Sequence, residues 1–192
     1  MRFHRPVPSG IHGRTIQAFK PGRTVREVKM TDFGAPFIGS IKQVEDRWID
    51  YNGHFNMAYY GVLFDRTGDE AFDLVGLGAD YVKRHNASFF TLEAHFTYVR
   101  ELAAGDSVRV SVQLLDYDAK RFHYVQEMWH AKAGWLSCVM EAICMHVDFS
   151  TKKSSPFPDD VRHKLAAMYA AHKDVPVPPQ VGHRIGIVRK MA

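Results

Sequence analysis

No proline occurs between Pro36 and Pro156, although four lie at or before the first and five at or after the second. Proline removes a backbone donor and interrupts helices and interior strands. The long interval without it suits continuous, hydrogen-bonded elements. We therefore read 37–155 as the folded body. Residues 1–36 read as a basic arm. Residues 156–192 read as a short helix, about 159–173, followed by the turn-rich tail PVPPQVGHRIG. Charge divides the same way. The arm holds seven Lys/Arg against two acids, the C-terminal part six against three, and the body 12 against 16. The net charge of +4 comes from the ends. That distribution argues against a nucleic-acid-binding fold.

Within the body, hydrophobic spacing separates the elements. Phe37–Trp48, apolar at Ile38, Ile41 and Val44, reads as an imperfect strand. Leu63, Phe64, Thr67, Ala71, Leu74 and Val75 follow a period near 3.6 and predict a long helix. Asn56 is placed to cap its start, and Gly76 and Gly78 to end it. Asp65, Asp69, Glu70 and Asp73 fall mostly off its apolar stripe. Four strands are then predicted: Ser88–Arg100, Asp106–Asp116, Lys120–Ala131 and Trp135–Phe149. The links AAGD, DYDA and KAG are short, so the strands run antiparallel. The expectation is an α+β fold, one long helix on one curved antiparallel sheet. So small a layer leaves an exposed face and edges, which pairing with a second copy would cover.

No run of 18 apolar residues predicts a membrane helix. The opening MRFHRPVPSGIHGR carries no apolar stretch after its basic residues, so no secretory signal is expected, and the cytoplasm is the expected location. Cys138 and Cys144 share parity on one strand and read as small core residues. The histidines form no HExxH or similar ligand pair, so no metal is expected. Val75-Gly76-Leu77-Gly78 lacks the preceding strand and third glycine of a dinucleotide loop.

Chemistry is concentrated in Asp50-Tyr51-Asn52-Gly53-His54-Phe55-Asn56-Met57, a polar loop opening onto the long helix. Free amides at a helix start attract negative charge, including a developing oxyanion. A carboxylate just upstream could attack a carbonyl or activate water. The structural alternative is an Asx turn at Asp50 and Asn52, with Asn56 only a cap. Both readings stand on the residues alone.

Asp50-x-x-Gly53-His54-x-Asn56 with Tyr60 resembles the hotdog-fold acyl-CoA thioesterases of the 4-hydroxybenzoyl-CoA thioesterase type. The likeness covers roughly 37–150. The segments Trp48–His54 and Phe89–His95, with the helix acid Asp69, are similar to the betainyl-CoA thioesterase-like group. The resemblance implies hydrolysis of a small or medium acyl-CoA without metal or redox cofactor. It also implies a homodimer or homotetramer with the thioester in a groove between subunits. Asp50 would be nucleophile or general base. Gly53, His54, Asn56 and Met57 would surround the oxyanion site, with the amides near His54 to Met57 polarising the carbonyl. Met57 departs from relatives that carry His or Tyr there, so only its backbone could serve. Tyr60, Glu93, His95 and Arg100 are the candidate substrate-binding residues. Tyr60 also falls on the apolar stripe. Glu93 and His95 sit on the odd positions of their strand, which are expected to face away from the helix. The even positions Phe90, Leu92, Ala94, Phe96 and Tyr98 are expected to face it. Lys83, Arg84, Arg100, Lys120, Arg121, Lys152 and Lys153 are candidates for coenzyme A phosphates. An acyl carrier protein thioesterase on the same fold, a hotdog dehydratase and a non-catalytic acyl-CoA-binding or assembly protein remain alternatives.

Overall fold

The computed structural model describes residues 33–187; the basic arm expected over 1–36 lies outside them except for 33–36. In chain order the elements are β1 (Phe37–Ile38), β2 (Lys42–Gln43), α1 (Met57–Leu74), α2 (Ala79–His85), β3 (Ala87–Tyr98), β4 (Ser107–Tyr117), β5 (Arg121–His130), β6 (Leu136–Asp148), β7 (Lys153–Ser154) and α3 (Asp159–His172). The sheet is antiparallel, in the order β1-β4-β5-β6-β3, with β2 beside β4 and β7 beside β6. Hairpin links between long strands leave β3 at one edge. Among the described residues no helix is long and apolar enough to cross a membrane.

The long helix packs on one face of this sheet, as its 3.6-residue stripe requires. Leu63, Phe64, Ala71 and Phe72 are buried on it. Phe72 is the hub, with ring centroids 4.4 Å from Phe122, 5.0 Å from Tyr124 and 5.6 Å from Phe89. Burying such a ring contributes roughly 1.5–3 kcal/mol. Gln126 of β5 enters the same layer and donates to the Phe64 carbonyl at 3.0 Å. Gly68 lies beside it on the helix, where a Cβ would meet that amide at an ordinary contact distance of 3.9 Å. Cys138 and Cys144 are buried and free, and burial pushes the Cys138 thiol up to about 12.

Two local expectations change. The strand expected over Phe37–Trp48 is broken into β1, β2 and a 3-10 turn at Asp46–Trp48. Its Ile38 and Ile41 are exposed rather than core. The segment is held instead by α1: Glu70 accepts from the Ser40 amide at 2.7 Å and pairs with Lys42 at 2.6 Å. Gly39 permits this approach, because a Cβ there would collide with Thr67.

The alternation in β3 also does not run unbroken. A bulge between Thr91 and Glu93 shifts the register against β6. An extra residue reverses which parity faces the helix. Phe96 and Tyr98 face α1 as expected, with Phe96 5.9 Å from Phe64 and Tyr98 5.1 Å from Tyr60. Before the bulge it is Phe89 that enters the core. Phe90, expected inside, is exposed and stacks on Phe149.

Candidate active site

Residues 49–55 form a miniature hairpin. Ile49 bridges Phe55, the Asp50 amide donates to the His54 carbonyl at 2.8 Å, and the Asn56 amide donates to the Trp48 carbonyl at 3.0 Å. Gly53 supplies the left-handed corner, φ +78°, that a side chain would strain. Inside the turn one carboxylate oxygen of Asp50, Oδ1, accepts from the amides of Asn52 at 2.8 Å and His54 at 3.2 Å. The Asn52 side chain also stands near enough to help hold the carboxylate. Desolvation works against ionisation here, but the donors from His54 and Asn52 outweigh it and hold the Asp50 carboxyl below its ordinary value. The Asx turn therefore forms, and it holds an ionised carboxylate just upstream of α1. The two sequence readings are compatible.

The helix start is only partly capped. Asn56 Oδ1 accepts from the Ala58 amide at 3.0 Å, and the Tyr59 amide turns back to the Asn56 carbonyl. The His54 and Asn56 amides are used within the hairpin. That leaves the N–H groups of Phe55 and Met57 without a partner in the described chain. Phe55 is buried, whereas Met57 is exposed. The first turn of α1 contains no acidic residue, so its positive end is not neutralised there.

The remaining candidates separate. Tyr60 lies under the hairpin, 4.3 Å from Phe55 between ring centroids, and burial pushes its hydroxyl up to about 12. His54 points outward, its Nε2 3.4 Å from Glu101. Arg100 lies over the Trp135 ring at 4.2 Å. Glu93 and His95 lie on the sheet face opposite α1: His95 pairs directly with Glu141, whose row includes Val125 rather than the helix-facing Gln126. Within one chain they do not join the Asp50 loop. Two residues beside the loop escaped the sequence reading. Tyr98 donates to the Met57 carbonyl at 3.4 Å, and its parity with Phe96 was the available signal. Glu101 carried none. Among the described residues no group of three or more His, Cys, Asp or Glu could hold a metal.

A concavity of about 690 Å³ runs between α1 and the start of β3. Asp65, Asp69 and Asp73 line it, facing Phe89, Phe90 and Thr91. Burial, then Asp65 and Asp73, raise the carboxyl of Asp69 above its ordinary value. At 1.5 Å rise per residue, Asp65 is about 12 Å and Asp69 about 18 Å along the axis from Met57. The groove is therefore separate from the hairpin.

Comparison with known proteins identifies the family and the fold. Residues 44–165 match the thioesterase-like superfamily. The chain is 34% identical over 140 residues to a betainyl-CoA thioesterase of Pseudomonas aeruginosa, covering 73% of this chain and 88% of that protein. It is 30% identical over 158 residues to an L-carnitine dehydrogenase/betainyl-CoA thioesterase of Rhizobium meliloti, covering 82% of this chain but 32% of that longer protein. A Staphylococcus aureus protein solved in complex with CoA superposes with a TM-score of 0.74 at 29% identity, over 80% of this chain and 96% of that one.

Proposed function

The chain belongs to the thioesterase-like superfamily and has its hotdog fold, and from that premise we propose that it hydrolyses an acyl-CoA thioester at the hairpin where β-structure meets α1. The observation that carries this reading is the ionised Asp50 carboxylate, its Oδ1 fixed by two loop amides, beside a helix start.

In the proposed reaction the thioester carbonyl oxygen accepts from the Met57 N–H, which stabilises the negative charge that develops there. Oδ2 of Asp50 either adds to the carbonyl carbon or removes a proton from a water that does so. Collapse expels the coenzyme A thiolate, which takes up a proton. If Asp50 has added, water then cleaves the acyl-aspartate. Either route consumes one water and yields a free acid and coenzyme A. Asn56 holds the helix start in place, and Gly53 lets the turn close. His54, tied to Glu101, orients the loop rather than carrying the proton.

We propose a small cationic acyl group, on the strength of the betainyl-CoA thioesterase relative. In a betainyl thioester the ammonium is one methylene from the carbonyl. It must then lie within a few ångströms of Met57, and the acidic groove is too far along α1 to hold it. Asp50, Glu101 and the ring of Tyr98 are the groups at hand, the last through cation–π attraction. We further propose that two chains join along β3. That edge strand is 12 residues long and exposes Phe90 and Leu92.

The test is release of free coenzyme A from a panel of acyl-CoA thioesters, betainyl-CoA included, by the native chain and by Asp50→Asn. Turnover that collapses in the variant supports the reading. Equal rates remove Asp50 from the chemistry, and binding without turnover of any panel member favours an acyl-CoA-binding protein.

A further inference from the structure

The chain beyond α3 takes a specific route. His172 ends the helix at the open edge of β4, where pairing with β1 stops at Val112. The next free edge amide, Leu114 N–H, donates to His172 Nδ1 at 2.9 Å. The chain then passes to the sheet face opposite α1. Gln113 Nε2 donates to the Val175 carbonyl at 2.9 Å. Pro178 is buried. The Gly182 amide donates to Glu141 Oε2 at 2.7 Å, and the His183 ring stacks on His95 with centroids 6.1 Å apart.

These anchor points form one line. Gln113 pairs with Val125, Val125 with Glu141, and Glu141 with His95. The four residues are a single cross-strand row over β4, β5, β6 and β3. Three strand spacings measure about 14 Å. From Val175, held by Gln113, to His183, beside His95, the chain crosses the row by a short open stretch and two turns, in which the Val181 and His183 amides donate to the Pro178 and Gln180 carbonyls at 3.1 and 3.2 Å. Pro176, Pro178 and Pro179 lack an N–H, so the segment cannot join the sheet as a strand, and their fixed φ reduces the freedom lost on docking. The carboxylate at the centre is fully used: His123 Nε2 lies 2.8 Å from Glu141 Oε1, and Gly182 holds Oε2.

We propose that residues 173–183 are a strap that closes the outer face of the sheet to stacking by a second sheet, and so caps the size of this chain's assembly. Stacked sheets meet about 10 Å apart through interdigitated side chains. A layer of chain lying over Val125 and Glu141 occupies that space. Released, the strap leaves Val125, only 2% exposed beneath it, open to an identical face. The proposal concerns assembly and does not depend on which acyl group is cleaved.

Sedimentation equilibrium tests it on three proteins: the full chain, a chain ending at Lys173, and full-length Gly182→Pro. The last removes the N–H that Glu141 holds and forbids the observed φ of +71°. Both altered proteins are expected to show a species of twice the full chain's mass. Val125→Lys in the shortened chain is expected to return the mass to the full chain's value. Unchanged mass with unchanged circular dichroism in Gly182→Pro overturns the strap, and it decides the matter even if the shortened chain precipitates. Doubling that survives Val125→Lys overturns the assignment to this face.

Discussion

The two ends of α1 are built on opposite terms. The N-terminal end carries no acid in its first turn, a single cap from Asn56 and an exposed unpaired amide at Met57. Its positive pole is left available. Toward the C-terminal end Asp65, Asp69 and Asp73 stand one turn apart, with no basic residue in the last turn. Like charges at that spacing repel by a few tenths of a kcal/mol per pair, and carboxylates near a helix C-terminus oppose the macrodipole by roughly 0.3–1 kcal/mol. Phe72, packed among three rings, supplies far more there than the acids remove. One end therefore gives up capping for an anion-attracting pole, and the other tolerates charge because aromatic packing holds it. Activity and stability should separate along the helix accordingly.

The sharpest break in that contrast would come from Asp50→Asn. Oδ1 can still accept from Asn52 and His54, so the turn persists. The turnover number should fall by about 10²–10⁴ with the melting temperature nearly unchanged; a rate within twofold of native would show that the N-terminal end is not the reactive one. Phe72→Ala is the mirror case. It should lower unfolding free energy by about 3–5 kcal/mol in urea titration, while residual folded protein keeps a near-native KM. Asn56→Ala lies between the two, because the cap serves both structure and site. It should cost about 1 kcal/mol and also reduce the turnover number.

The smallest effect is expected at Asp69→Asn, a gain of a few tenths of a kcal/mol at neutral pH. Its sign follows from the raised carboxyl. The folded chain holds that proton above the unfolded value of 3.8, so Asp69 weakens the fold as pH rises through the window just above 3.8. The variant's stability should lose that part of the pH slope, with catalysis unaffected. His172 gives a complementary check. Burial lowers its imidazole below 6.5, so its contribution is full above 6.5 and is lost as pH falls through the folded value. Guanidinium melts from pH 7 to 5 of the native chain and His172→Gln should converge toward the acid end.

Much of this site was legible because its signals are local. Asn56 as cap follows from one polar residue before a 3.6-residue stripe, and the structure shows that bond. The Asp50–His54 turn follows from Asx chemistry around one glycine. Glu101 was invisible because its nearness to His54 depends on where the end of β3 is brought, 47 positions later in the chain by the residue numbers themselves. The strand assigned to Phe37–Trp48 failed for the converse reason. Its apolar residues match a pattern, but Glu70, Ser40 and Lys42 hold the segment through polar contacts that periodicity does not record.

By itself the sequence determined the long helix and its start, the four long antiparallel strands that follow it and the loop that meets the helix; α2 and β7 were not read from it. Proline placement and hydrophobic period act within a few residues, so one chain suffices to read them. Tertiary structure alone decided three other matters. The bulge at Leu92 turned Phe89 inward and Phe90 outward, because register is set across strands. Closure of the hairpin chose which oxygen of Asp50 the loop amides hold, because only folded geometry directs a lone pair. The path of 173–183 over the sheet depended on Gln113, Glu141 and His95 being brought into one row, and no local pattern contains that distance.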